Sequence, residues 1–494
     1  MAKQRRDART ERAALVRQLA RLERECRGLE PAARGRRQLL AATQGAAERF
    51  LGTLATRPAF DARPDPGLGL LDLPIQEEGR PLAEVIAALE REVVDPGSQP
   101  AHPAHFAYIP GGGLYHAALG DYLAAVTDKY SGIFFTGPGP VRMENLVVRW
   151  AADLVGYPAA AAGHTASGGS IATLTAIAAA RDAHHLKGRD YERTVVYLTS
   201  QTHHCVDKAL GVAGLGEVLR REVPLDDGWR MRPDALAAQV AADRAAGLRP
   251  WLIIATAGST DTGAVDPLAP IAGIAAREGC WYHVDAAYGG FFLLTAEGRR
   301  RLAGIERSDS VVLDPHKSLF LPWGSGMVLL RDREALLRSN AYTGSYMQDA
   351  LREPGEISPA DVSPELSRPF RALRMWLPLL LLGTRPFAAA LEEKLLLARY
   401  FRREIGAAGF AVGPEPDLSV VTFRWAPDGM PLAEANAVNQ RLMDRLRQDG
   451  RVFLSSTMLD GVFTLRLVAL SFRTHRKAVD LAVRVLSEAV RGGV

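Results

Sequence analysis

Residues 310–321, S-V-V-L-D-P-H-K-S-L-F-L, decide how the chain folds. The first four are a short apolar run of strand character, and Pro315, with no N–H to give a ladder, stops the strand. Asp314, His316 and Lys317 are thereby set at the strand's carboxyl end, ahead of the apolar Leu319, Phe320 and Leu321. A lysine desolvated in such a place can lose its charge and become a nucleophilic amine. Upstream, residues 281–290 (W-Y-H-V-D-A-A-Y-G-G) are a second buried strand that ends on Asp285.

Outward from these two strands the chain alternates. Residues 170–181, 233–246 and 267–277 have helical spacing, and 194–199, 251–256, 281–285, 310–313 and 327–330 are apolar runs of strand length. Alternation of this kind predicts an α/β fold with a central, mostly parallel sheet covered on both faces, whose ligands bind beyond the carboxyl ends of the strands. Helices are expected at 143–155, 371–382 and 387–407. Residues 340–364 have little periodicity, and loops of that length in compact domains are functional and mobile, or disordered. Strands at 420–425, 452–455 and 463–468 with helices at 431–448 and 475–491 describe a smaller α+β C-terminal domain.

The N-terminal part has a different texture. One helix is expected to about residue 30, where Pro31 ends it; Leu15, Leu19, Leu22, Cys26 and Leu29 alternate spacings of four and three, as a coiled-coil seam does. Helices at 38–54 and 81–94 follow, separated by a connector at 58–69 rich in proline and glycine. The expected division is a helical segment, 1–97, whose stripe packs on a partner subunit or on the main body; a large α/β domain, 98–385; and the small domain, 386–494.

Composition narrows the function classes. A chain of 494 residues is too long for one core. A net charge of +4 is too small to argue nucleic-acid binding, and the basic run Lys3, Arg5, Arg6, Arg9, Arg12 reads as a solvated helix face. Cys26, Cys205 and Cys280 are far apart and form no Cys-x-x-Cys pair, which fits a reducing cytosol. The N-terminus is charged where a signal peptide has an apolar core, and the longest aliphatic patch, 377–382, contains Pro378. A cytoplasmic protein is expected.

Four features fall at strand ends or helix starts of the large domain. Residues 165–170, T-A-S-G-G-S, open a helix; glycines admit close approach of a ligand, and free N–H groups favour a phosphate. His203, in Q-T-H-H-C (201–205), could stack on a flat ring or shuttle protons. Asp285 ends an apolar strand and needs a cationic partner, with small Ala286 and Ala287 beside it. Lys317 is the fourth. Each has a structural alternative: a helix cap, a histidine bonded to backbone, a salt bridge, a surface lysine after a turn. Together, an aspartate to pair a pyridinium nitrogen and a lysine to form a Schiff base are what a pyridoxal phosphate enzyme requires.

In that order these features resemble the group II pyridoxal-phosphate-dependent amino acid decarboxylases, the family of aromatic-L-amino-acid, histidine and glutamate decarboxylases. The resemblance runs from about residue 103 to 376 and rests on S-G-G-S (167–170), H-V-D-A-A-Y (283–288), D-P-H-K (314–317) and S-P-E-L-S-R-P-F-R-A-L-R-M-W (363–376). It implies the fold of the aspartate aminotransferase type (fold type I) and a homodimer with its site at the interface. It implies that Lys317 holds the cofactor as a Schiff base, Asp285 pairs the pyridine nitrogen, and His203 and Ala287 cover the two ring faces. Gly169 and Ser170 would bind the phosphate with His316 close by; Ser259 or Thr260 would line the same mouth; Phe106 and Tyr108 would line the substrate pocket. Tyr346 falls where the family has a loop tyrosine that supplies a proton, with Tyr342 an alternative, and family members with phenylalanine there form an aldehyde by oxidative deamination. Ile171, Gly111-Gly112-Gly113 and Phe134-Phe135-Thr136-Gly137 depart from the family pattern and bear on side-chain specificity. No basic residue marks a pocket for an acidic side chain, so an aromatic or large hydrophobic L-amino acid is the expected substrate.

A reading from another class uses His283, Asp285, Asp314 and His316 as ligands of a metal hydrolase, since strand alternation puts His283 and Asp285 on one face. It gives Lys317 no purpose, as does a scaffold without catalysis; no metal ligand is expected.

Overall fold

The computed structural model describes residues 2–64, 66–341 and 356–493. They form two compact units, one of residues up to 57 with 63–97, the other of 58–62 with the chain from 98 onward. The first unit is helical, with Ala2–Glu25, Ala33–Thr53 and Leu82–Leu89. Its first helix stops at Glu25, short of the expected end, and Cys26–Leu29 form a 3-10 turn, so the last two seam positions leave the stripe. Leu15, Leu19 and Leu22 are exposed.

The second unit is built on a seven-stranded sheet: β1 Ala162–Ala166, β2 Thr194–Leu198, β3 Leu219–Glu222, β4 Arg249–Thr256, β5 Trp281–Asp285, β6 Ser310–Leu313 and β7 Gly326–Leu330, in the order β1-β7-β6-β5-β4-β2-β3. Strands β2 to β6 pair in parallel, and β7 runs antiparallel between β6 and β1. Seven consecutive buried residues in β4 show why the sheet's middle has no polar face: helices cover both sides. This is the fold-type-I architecture the motifs implied. Two strands escaped the sequence reading, β1 (A-G-H-T-A) and β3 (L-R-R-E). Both lie at sheet edges; β3 alternates half-buried and exposed, and β1 is made of small residues, with Gly163 so close to Val328 that a Cβ would meet its carbonyl at 2.1 Å. Helices Tyr115–Thr127 and Cys205–Val212 were also unforeseen, and the helix expected at 143 begins at Pro138, whose fixed φ suits a first turn.

The C-terminal portion is an antiparallel sheet, β8 Ala411–Val412, β9 Val420–Arg424, β10 Ser455–Leu459 and β11 Val462–Val468, in the order β8-β9-β11-β10. Helices Arg385–Ala407, Leu432–Asp449 and Arg476–Arg491 pack on it. The strand expected at 452–455 is a correction: Val452, Phe453 and Leu454 are buried but lead into β10 rather than forming it. Phe453 bonds the chain at Ala104 and Phe106 (N–H to Ala104 O, 3.1 Å; O from Phe106 N–H, 2.7 Å), so tertiary packing buries a run that looks like a strand.

Polar ties inside this unit hold the sheet's upper edge. Arg368 and Glu144, both fully buried, pair at 2.8 Å; Glu144 also accepts the Thr165 N–H at 2.9 Å, and Arg368 donates to Thr165 Oγ1 at 2.7 Å. Arg368→Met, leaving Glu144 buried and unpaired, is expected to cost about 3–5 kcal/mol in chemical denaturation; a loss below about 1 kcal/mol would mean the pair carries little.

Burial also holds three histidines neutral: His105 and His283 are pushed down to about 4 and His164 to about 3, from an unfolded value of 6.5. Between those values the unfolded chain binds protons that the folded chain does not, so this contribution to stability is complete above about pH 6.5 and is lost as pH falls toward about 4. The denaturation midpoint should therefore drop between about pH 7 and about pH 5, each histidine contributing about 2 kcal/mol; a flat midpoint would contradict the assignment.

Candidate active site

Strand direction brings the motifs to one place. In the register Thr256 pairs with Asp285 and Asp285 with Val312, so β4, β5 and β6 end side by side. β6 gives way to Asp314 and a single helical turn, Pro315–Ser318, that carries Lys317. β1 ends at Ala166 beside Gly326 and runs on into the helix Gly169–Ala183, while β2 ends at Leu198 and reaches His203 through a turn in which the Thr202 N–H donates to the Thr199 carbonyl at 3.0 Å. All four sit at the carboxyl edge of the sheet, where ligands of such sheets bind.

They surround a cavity of about 350 Å³. Gly169, Ser170, His203, Asp285, Ala287, His316 and Lys317 all line it; so do Thr260 and Asp314. Ser259 does not line it: it is buried in its own turn, its Oγ 2.7 Å from Thr262 Oγ1. Phe106 is fully buried in the core of the C-terminal sheet, and Tyr108 is 62% exposed; neither lines the cavity of this chain. Tyr342 and Tyr346 lie outside the described residues.

Lys317 Nζ lies 2.9 Å from Asp314 Oδ2. Burial alone would lower the amine's pKa, as the sequence suggested, but the carboxylates of Asp314 and Asp285 outweigh it and the net shift is upward. The contact with Asp314 thus favours the charged form of the amine, where desolvation alone would favour the neutral one. Asp285, 8% exposed, accepts the Ala287 N–H through Oδ1 at 3.1 Å. His203 accepts the Cys205 N–H at Nδ1 (3.2 Å), which leaves Nε2 to carry the proton of the neutral ring; burial lowers its pKa against the opposing pull of Asp285. His316 donates from Nδ1 to the Ser325 carbonyl at 2.6 Å, and burial lowers its pKa too.

The glycines act through close approach. Gly326 lies behind Gly168, where a Cβ would come within 2.5 Å of the Gly168 carbonyl carbon. Gly111 lies against the lysine's turn, where a Cβ would meet the carbonyls of Lys317 and His316 at 2.5 and 2.6 Å. Residues 111–113, one of the departures from the family pattern, lie against this turn rather than in the cavity wall, with the Leu114 N–H on the Phe320 carbonyl at 2.8 Å.

The metal reading finds less support. His283 Nδ1 is 2.8 Å from Ser310 Oγ, and among the described residues no group of three or more His, Cys, Asp or Glu stands together to hold an ion. A pyridoxal phosphate, by contrast, fits what is present. The helix Gly169–Ala183 starts in the cavity wall with no side-chain cap among the described residues, and a helix N-terminus offers free N–H groups to a phosphate; Asp285 and Lys317 supply an anion and an amine in the same cavity. Sequence reasoning missed Asp314 as the partner of Lys317, although the spacing i,i+3 across a proline-started turn was a signal.

Comparison with known proteins gives the same answer independently. The pyridoxal-dependent decarboxylase conserved domain matches residues 64–426. An aromatic-L-amino-acid decarboxylase of Bacillus atrophaeus is 33% identical over 84% of this chain and 88% of its own, and a phenylacetaldehyde synthase of Arabidopsis thaliana is 28% identical over 78% of this chain and 81% of its own. The crystal structure of Oryza sativa TDC with PLP and tryptamine superposes with a TM-score of 0.87 at 25% identity, covering 94% of this chain and 99% of that one. The chain belongs to the pyridoxal-dependent decarboxylase family and is a pyridoxal-phosphate-dependent amino acid decarboxylase, a carboxy-lyase.

Proposed function

We propose that this decarboxylase acts on an aromatic L-amino acid, releasing the amine and CO2, with Lys317 as the cofactor-binding lysine. The observation that carries the residue assignment is the shared cavity: Lys317, Asp285, His203 and the uncapped turn at Gly169 and Ser170 face one volume of about 350 Å³. The bound cofactor supplies an electron sink for the pair left when CO2 departs. Asp285, 8% exposed at the end of β5, would pair the pyridine nitrogen and keep it protonated, little screened by water. His203 and Ala287 would cover the ring; Gly169 and Ser170 would hold the phosphate, with His316 and Thr260 beside it. Tyr346, with Tyr342 the alternative, would supply the proton to the substrate's α-carbon.

An aromatic substrate is supported by the relative from Bacillus atrophaeus and, among the described residues, by a cavity lining whose basic side chains are Lys317 and two histidines only. The second reading, oxidative deamination to an aldehyde, has a counterpart in the phenylacetaldehyde synthase relative; a tyrosine at 346 favours the amine. A homodimer with the site at its interface is the assembly we infer from the family resemblance; Tyr108, which the resemblance puts at the substrate pocket, is 62% exposed and away from this chain's own cavity. The division at 97/98 and 385/386, with the helical segment packing on the partner, is kept as our reading. Among the described residues no helix is long and apolar enough to cross a membrane, and the free, buried Cys205 and Cys280 suit a reducing cytoplasm.

The purified protein should be yellow, and borohydride should bleach it and fix the cofactor covalently to the chain; Lys317→Ala should lose that covalent label and most of kcat. A Lys317→Ala protein that borohydride still labels covalently with the cofactor would refute the assignment. Tyr346→Phe should divert product from amine to aldehyde under oxygen, followed by chromatography of the products; an unchanged amine yield would remove Tyr346 from the mechanism.

A further inference from the structure

Asp314 has no task in the decarboxylation reading, yet it is the most closely engaged acid of the cavity. It is 2% exposed, with Oδ2 at 2.9 Å from Lys317 Nζ and 3.7 Å from His316 Nε2, while Oδ1 has no hydrogen-bond partner among the described residues. A carboxylate so removed from water is costly unless a cation stays beside it. Two features fit the chain around this contact. The turn Pro315–Ser318 fixes the lysine three residues on, with the Lys317 N–H donating to the Asp314 carbonyl at 2.9 Å. On the other side lies Gly169, where a Cβ would come within 3.0 Å of Asp314 Oδ2, so a side chain there would press on the carboxylate.

We propose that Asp314 is a positioning residue that holds the Lys317 amine in one place and keeps it protonated until the cofactor engages it. The proposal rests on the reading of Lys317 as the cofactor-binding lysine. The groups that act on the amine are the carboxylates of Asp314 and Asp285 and the thiol of Cys205; His316 stands against Asp314, and His203 feels both carboxylates and the amine. Burial favours the neutral amine, but the carboxylates prevail. Since only the neutral amine is a nucleophile, the contact makes cofactor uptake depend on pH, and removing the charge at 314 should ease it.

The test follows uptake of pyridoxal phosphate by the full chain after its own cofactor has been released with hydroxylamine and dialysed away. The rate at which the visible band returns is measured from neutral to alkaline pH, and borohydride-trapped peptides are then located by mass spectrometry. The parent's midpoint is expected above that of a free lysine, and a midpoint well below it overturns the proposal without any variant. Asp314→Asn should move the midpoint down by about one pH unit, making uptake at neutral pH about tenfold faster; Asp314→Glu, which keeps the charge, should follow the parent. Superimposable Asn and parent profiles, or Asn and Glu variants that move together, would overturn it. Label on Lys317 with an unmoved profile removes only the role of Asp314, whereas label on another lysine removes the reading of Lys317 and this proposal with it.

Discussion

A lysine taken out of water must either lose its proton or keep an anion beside it, and this constraint organises the site. Lys317 is a fifth exposed at its side chain, Asp314 almost wholly buried, and the two are 2.9 Å apart. The contact exists because β6 stops at Leu313, Pro315 starts a helical turn, and the turn returns the lysine to the acid. Asp285 reaches the same cavity because β5 runs parallel to β6, in register, and ends at the same height. Move either strand by one residue and its functional side chain faces the other side of the sheet.

The C-terminal portion takes part in holding that geometry. Arg466, 3% exposed, donates to the Asp261 carbonyl at 2.7 Å, to the Thr260 carbonyl and to Ser455 Oγ at 2.9 Å, which ties β11 to the loop that carries Thr260 at the cavity. Burial lowers its pKa, and carbonyl dipoles rather than a bonded carboxylate satisfy the cation. Tyr288, next to Ala287 in the cavity wall, meets Ser419 Oγ at 2.6 Å, and Asp417 pairs with Arg230 at 2.8 Å and with Arg301. A cavity whose lining groups come from strand ends needs such ties, because strand ends are the parts of a sheet least restrained by its ladder.

Much of this was legible in the sequence, for physical reasons that differ by residue. Buried parallel strands such as β4 and β5 are continuous apolar runs that announce themselves, and an acid or lysine at their ends stands out against that background. The edge strands β1 and β3 were not legible, because small or charged residues there are stabilised by pairing with β7 and β2, a tertiary term that composition does not carry. The run from Val452 to Leu454 misled for the opposite reason: its burial comes from neighbours distant in sequence. Phe106 was placed at the substrate pocket by the family resemblance alone, and in this chain its side chain completes the C-terminal core. The protonation of Lys317 could not be read at all, since it depends on a balance between burial and two carboxylates whose distances only the fold sets.

The proposed roles of Asp285 and Lys317 require that the two hold opposite ends of a single aromatic ring. A crystal structure of the chain loaded with pyridoxal phosphate measures it directly. It should show the pyridine nitrogen within hydrogen-bond distance of the Asp285 carboxylate and continuous density from the cofactor to Lys317. A cofactor joined to a different lysine, or a ring nitrogen facing away from Asp285, would contradict it.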